Sequence, residues 1–386
     1  MERISFGERP DWQKKVEEIG FDFHTFDGER YWDERNAYKF SLEEIENNIE
    51  DPTTELMEMC YNAVSYVCDF PDEMARLQIP EEFRDAVIDS WNNKDKDLYG
   101  RFDLAYDGNG PAKMLEFNAD TPTSLFEASV VQWMWLEDMK LSGKISADAD
   151  QFNSIHEKLK EALPHIVTSG YNTMHLAAFE DSREDWTTIK YLADIAYQIG
   201  KDVVMLDVTE IGIDAQNWFT DKDDKRIEHL FKLYPLEDMV REEFGKYLID
   251  TPTTIIEPLW KLVLSNKGIL PILWEMYPDH PNLLPSYFEG EQDVKILGGE
   301  YVRKPIFSRE GANIEIISGQ TGLKNDGPYG AEGHIIQAYN PLPRFGNDFP
   351  VIGSWVIAGQ AAGIGIREDD SLITKNSSRF VPHFID

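Results

Sequence analysis

At 386 residues with a formal charge of −34, the chain is long enough for a sizeable core and too acidic for most of its surface to attract nucleic acid or an anionic membrane. Hydrophobic residues make up 42% of it, including 10 Trp, 16 Tyr and 21 Phe, which excludes a disordered chain. No apolar run approaches the roughly 18 residues of a membrane span, and MERISFGERPDWQKK lacks the apolar stretch of a signal peptide. The expectation is a cytoplasmic protein whose partners are small molecules, with its oligomeric state left open.

Residues 1 to about 100 read mainly as helices, among them 54–69 and 81–92, the latter with Phe83, Val87 and Trp91 on one face. Cys60 and Cys68 lie eight apart in the first of these, more than two turns along one helix. They cannot bridge and are expected to be core thiols.

The stretch RFDLAYDGNGPAKMLEFNADTPTS, 101–124, alternates apolar and polar residues on either side of Asp-Gly-Asn-Gly, so it reads as a hairpin. Pairing Phe102 with Phe117 and Leu104 with Leu115 sets Arg101 opposite Asn118, and Asp103 opposite Glu116. Directly opposed residues have Cβ atoms about 5 Å apart, and two unit charges about 4 Å apart repel by about 4 kcal/mol at an effective dielectric near 20. A shared proton, a nearby arginine or a divalent cation with Asn118 as third oxygen ligand would offset this. A register slipped by two residues would instead give an ordinary Arg101–Glu116 surface pair.

After the hairpin, SLFEASVVQWMWLEDM reads as a helix capped by Ser124, with Trp133 and Trp135 expected in the core. TMHLAAF, REDWTTIKYLADIAYQIG and DVVMLDV form a strand, helix and strand, hence a βαβ unit with a parallel pair. LWKLVLSNKGILPILWEMY, 259–277, reads as helices around a Ser265–Gly268 turn, and strands dominate beyond 300.

Familiar signatures are missing: no GxxxxGK[ST] loop, no GxGxxG between strand and helix, no HExxH and no CxxC. The C-terminal third is richer. Lys304 sits between Val302 and Ile306 on one strand face, beside the loop 308–313; its glycine would let backbone N–H groups approach an anion. That is either a phosphate site or a snorkelling lysine over an ordinary hairpin. GHIIQAYNPLP, 333–343, stops at prolines as an edge strand does, leaving a backbone edge that could read an adenine or simply face solvent. WVIAGQAAGIGIRED, 355–369, is an apolar hairpin ending in Arg367, suited to a transferring phosphoryl group or to surface pairing with Glu368.

Taken together, RFDLAYDG…LEFNADTPTS, EPLWKLVLSNKGILPILWEMYPDHPNLLPSYF, VRKPIFSREGAN and GIGIRED…SRFVPH resemble the glutathionylspermidine synthase family of ATP-grasp carbon–nitrogen ligases. The likeness is to its stand-alone acid–amine ligase branch, which lacks the amidase domain. It implies an α/β fold of ATP-grasp type with a Rossmann-like pre-ATP-grasp module and mixed sheets. Residues 1–386 would form one unit, with an inserted α/β module near 165–250 and the main nucleotide-binding part near 251–386. It implies ATP and Mg²⁺ as cofactors, the metal on Asp103, Glu116 and Asn118. Arg101 would meet the reacting carboxylate and phosphate, Arg367 would act from a lid, and Thr121 would contact the thiol-peptide substrate. ATP would be bound by Lys261, Lys304, Glu310, Gly311, Gln337, Ala338, Tyr339, Asn340, Leu372, Ile373 and Thr374. Val351 stands where the family's synthases carry a glutamine, so the acid, with glutathione or another peptide as candidates, and the amine, with a polyamine as candidate, stay open. The implied reaction joins the two through an acyl phosphate; a phosphotransferase or a non-catalytic nucleotide-binding regulator are the rival readings.

Overall fold

Strand Tyr99–Ala105 is paired on one side with Lys113–Asn118 and on the other with Phe349–Ile357. Gln360–Asp369 and Arg379–Val381 continue this five-stranded antiparallel sheet. The computed structural model describes residues 1–26, 28–168, 172–318, 321–375 and 378–386.

Around this sheet, local sequence dictates the helices. Leu56, Met59, Cys60, Ala63, Val64 and Val67 form the buried stripe of helix Asp51–Asp69, which continues without a break from Leu42–Ile45 through the wider turn Glu46–Glu50. Cys60 is buried and Cys68 half-buried, both as free thiols. The segment after the hairpin is helical over Glu127–Val131 and Gln132–Leu141, but Ser124 does not cap it: its φ is 71° and its hydroxyl has no partner. Trp135 is buried, whereas Trp133 is 41% exposed. Residues two apart on a helix point about 200° apart, so one stripe cannot take both.

Thr173–Ala178, helix Arg183–Gln198 and Asp202–Asp207 make the expected βαβ unit. His229–Lys232 and Thr254–Ile256 extend it to a four-stranded parallel sheet, in which His229–Lys232 lies beside Thr173–Ala178. A further five-stranded sheet runs in the order Ser286–Phe288, His334–Ala338, Glu300–Pro305, Glu315–Ser318, Thr321–Lys324. His334–Ala338 is therefore paired on both sides and is not an edge strand. The prolines at 341 and 343 end it without freeing an edge.

The N-terminal strand Glu2–Ser5 pairs with Asn36–Phe40, which pairs in parallel with His383–Ile385. Arg3 grips Glu368 through two bonds of 2.6 and 2.9 Å, and Trp32 stacks on Phe380. Among the described residues, no helix is long and apolar enough to cross a membrane.

Candidate functional site

The hairpin register sets Arg101 opposite Asn118, Phe102 opposite Phe117 and Asp103 opposite Glu116. The two acids therefore stand side by side. Beyond them the pairing departs from simple alternation: Leu104 pairs with Met114, not Leu115, because a bulge follows Asp103. Leu115 is thereby released to line a cleft, and its carbonyl accepts a 2.8 Å bond from Lys304 Nζ.

Each acid of the pair has its own cation. Arg101 donates to Asp103 through Nε at 2.7 Å and Nη2 at 3.1 Å, and its Nη1 is held by the Thr123 carbonyl at 2.6 Å. Glu116 meets Lys267 Nζ at 2.9 Å, and Asn118 Nδ2 donates to Glu116 at 3.3 Å. Burial and the neighbouring Glu116 push the Asp103 carboxyl up, against Arg101. For Glu116 burial works the same way, but Lys267 and Lys304 outweigh it and hold the carboxyl down at about 2. Among the described residues no three His, Cys, Asp or Glu side chains converge as a metal cluster, so a third ligand here would have to be Asn118. Two carboxylates and an amide oxygen are hard donors that fit Mg²⁺, which completes its shell with phosphate and water.

The cleft beside this pair is walled by Val302, Ile314, Ile316, Leu342 and Val351, with Asp103, Glu116, Lys267 and Lys304 at its polar end. Lys304 is buried, donates also to Gln337 Oε1 at 2.7 Å, and is pushed down to about 8 by that burial, with Glu116 opposing. Gln337, Ala338, Tyr339 and Asn340 line the cleft, as do Gly311, Leu372, Ile373 and Thr374. The loop 308–313 approaches 372–374 so closely that a Cβ on Gly311 would lie 2.4 Å from the Thr374 carbonyl oxygen.

Other expected residues lie elsewhere. Lys261 does not line the cleft. It is fully buried, its ammonium bonded to the Tyr99 carbonyl at 2.6 Å, the Ala119 carbonyl at 2.9 Å and Glu257 at 2.8 Å. Three donors with three partners leave none for a phosphate. Glu310 is exposed and borders an outer groove, and Tyr339 N–H is already bonded to the Glu300 carbonyl. Arg367 bonds the Lys375 carbonyl through Nη2, while its buried Nε has no partner; its charge lowers the Asp103 carboxyl. Thr121 and Asn118 line a second, polar cavity with Glu237, Ser265, Lys267, Ser308 and Arg309. There Arg309 bridges Thr121 Oγ1 at 2.7 Å and Glu237 at 2.5 Å.

Lys267 thus borders both spaces, although the sequence marks it only as part of a turn between helices. The available signal is a lysine beside a glycine, the same pairing of charge and small backbone as in the loop after Lys304.

The description "Glutathionylspermidine synthase preATP-grasp" belongs to a family whose model matches residues 3–386. A Haemophilus influenzae protein carrying the provisional name acid–amine ligase is 41% identical, covering 100% of this chain and 99% of that one. Trypanothione synthetase of Crithidia fasciculata is 28% identical over 85% of this chain, which spans 53% of that protein. The bifunctional glutathionylspermidine synthetase/amidase of Escherichia coli is 25% identical over 89% of this chain and 58% of its own length. A glutathione synthetase-like effector of Globodera pallida shares the mixed α/β fold at 11% identity and a TM-score of 0.56, covering 90% of this chain and 89% of that one. With a match over nearly every residue, the chain belongs to the glutathionylspermidine synthase preATP-grasp family.

Proposed function

We propose that the protein is an ATP-dependent acid–amine ligase that works through an acyl phosphate. The observation carrying this reading is the opposed Asp103–Glu116 pair, which with Lys267 and Lys304 forms the polar end of a cleft whose apolar walls suit a nucleobase. A substrate carboxylate oxygen would attack the γ-phosphorus, breaking its bond to ADP. The amine would then attack the acyl carbon and expel phosphate, which departs with that carboxylate oxygen and leaves an amide; the amine's proton passes to phosphate or solvent.

Mg²⁺ held by Asp103, Glu116 and Asn118 would offset phosphate charge. Lys267 and Lys304 orient the phosphates by point charge, Gly311 lets the loop 308–313 close against 372–374, and Arg101 and Arg367 face the charge that develops during transfer. A peptide carboxylate of the glutathione kind and a polyamine are the substrate classes to test first. The relatives' names point that way, and a chain of charge −34 draws in polycations.

Transfer of ¹⁸O from a labelled carboxylate into released phosphate tests the route. The expected result is one labelled oxygen per amide formed. Amide without label in phosphate would exclude the acyl phosphate, and a stable phosphorylated product without amide would turn the reading to a phosphotransferase.

A further inference from the structure

A groove of about 630 Å³ lies between helix Arg84–Asn92 and Thr254–Ile256, the outer strand of the parallel sheet. None of its lining residues lines the nucleotide cleft or the polar cavity next to the metal hairpin. Five carboxylates border it. Glu82, Asp85 and Asp89 come from the helix and the turn that opens it, Asp95 from the loop that follows, and Asp250 from the facing segment. Lys94, Lys96 and His165 border it too, which leaves negative charge in excess. On another face of the molecule Arg76 gathers Glu73, Glu275 and Glu291. Here no side chain does that: none of the five acids makes an ion pair or a side-chain hydrogen bond with a described residue.

A second observation comes from Ser90, on the same helix face as Asp85, Ala86 and Asp89 and also lining the groove. It is 5% exposed, and its Oγ has no hydrogen-bond partner. Buried hydroxyls are nearly always bonded, and the hydroxyl oxygen can accept from an ammonium N–H.

The arrangement of the acids selects the cation. Among the described residues no three His, Cys, Asp or Glu side chains converge as a metal site, so the charge is spread along the groove. A cation whose own charges are spread out matches it. Asp85 and Asp89 stand one helical turn apart, a rise of about 6 Å, which a tetramethylene spacer between two ammonium groups also spans. Ile166, Leu248, Ile255 and Leu259 offer apolar surface to such methylenes.

We propose that this groove binds a linear polyamine outside the reaction site, with ammonium groups at Asp85, Asp89 and the Ser90 hydroxyl and methylenes along the apolar lining. Binding here does not depend on the ligase reading, nor on a polyamine being the amine substrate.

Calorimetric titration of spermidine, and separately of the compact trivalent cation hexaamminecobalt(III), into the full chain tests it, in about 0.15 M salt to screen diffuse attraction. Spermidine is expected to bind at least tenfold more tightly than the compact cation. Asp85→Asn with Asp89→Asn should weaken spermidine at least tenfold, and Ser90→Ala at least threefold. Glu43→Gln with Glu58→Gln removes the same charge from exposed positions outside the groove and should change affinity less than twofold. Any spermidine held at the substrate site persists in these variants, so the loss of one binding step is the expected pattern there. Equal affinities for the two cations, equal loss in the two double variants, or a lysine-rich peptide that binds where spermidine gives no heat would overturn the proposal. The comparison of cations uses the unaltered chain and needs no variant to fold. Failure of the ligase reading shows differently, as absence of ¹⁸O transfer with spermidine binding in the groove intact.

Discussion

Among individual residues, Lys304 carries the clearest pH signature. Burial brings its ammonium down to about 8, so the free protein gives up that proton near pH 8. Bound phosphates favour the charged form, and the complex keeps the proton to higher pH. Nucleotide affinity should therefore be full below pH 8 and fall as pH rises above it. Titration of a fluorescent ATP analogue between pH 6.5 and 9.5 would trace this step, and Lys304→Met, which keeps the apolar stem, should abolish it. In the same assay Lys267→Met should weaken binding at least tenfold. Lys261→Met should act on thermal stability instead, because it leaves Glu257 buried without its cation; loss of a buried partner typically costs about 3–5 kcal/mol. Nucleotide affinity lost equally in both lysine variants would contradict the separation of the two side chains.

At the scale of elements, the loop 308–313 and the segment 372–374 form one contact on which the cleft depends. Gly311 has φ 70° and no room for a Cβ against the Thr374 carbonyl. Gly311→Ala can relax only by parting the two segments, and nucleotide binding must then restore the strain, at about 1–2 kcal/mol for a left-handed alanine. A rise of roughly tenfold in ADP dissociation constant is expected, since 1.4 kcal/mol is a factor of ten. Unchanged affinity would mean that the loop does not close on the ligand.

The same elements explain what the sequence could reveal. Phe102 and Phe117 alternate with polar neighbours around a strong turn, which makes the hairpin legible but leaves two registers open; the structure takes the one that sets Asp103 opposite Glu116. The bulge at Leu115 was hidden because an inserted residue preserves local hydrophobicity while changing only the partner. Two lysines near 261–267 look alike in a helical, apolar setting; their roles are divided by Glu257 and the Tyr99 and Ala119 carbonyls, which come from distant strands. His334–Ala338 carries no sign that Ser286–Phe288 will cover its outer side, since that pairing crosses a long connection. Resemblance supplied the family where periodicity could not, but the commitments of individual side chains are tertiary facts.

For the molecule as a whole, the pairing of Asn36–Phe40 with His383–Ile385 governs the order of events during synthesis. The N-terminal strands have no completed sheet until residue 385 has been added, and the salt bridge from Arg3 to Glu368 spans 365 positions. At about 5–20 residues per second, the early segment waits on the order of 20–70 s for its partner. Throughout that time Tyr38 and Phe40 lack the strand that later covers them, while helix Asp51–Asp69 can already form from local contacts. Pulse proteolysis of ribosome-stalled chains should find residues 1–40 open to cleavage when 1–370 has emerged, and closed once 379–385 is free of the tunnel. Early protection would refute this. A fold that pairs residues 36–40 with residues 383–385 makes the earlier segment a client of whatever shields nascent chains, and exposes it to premature partners until the later strand has been made.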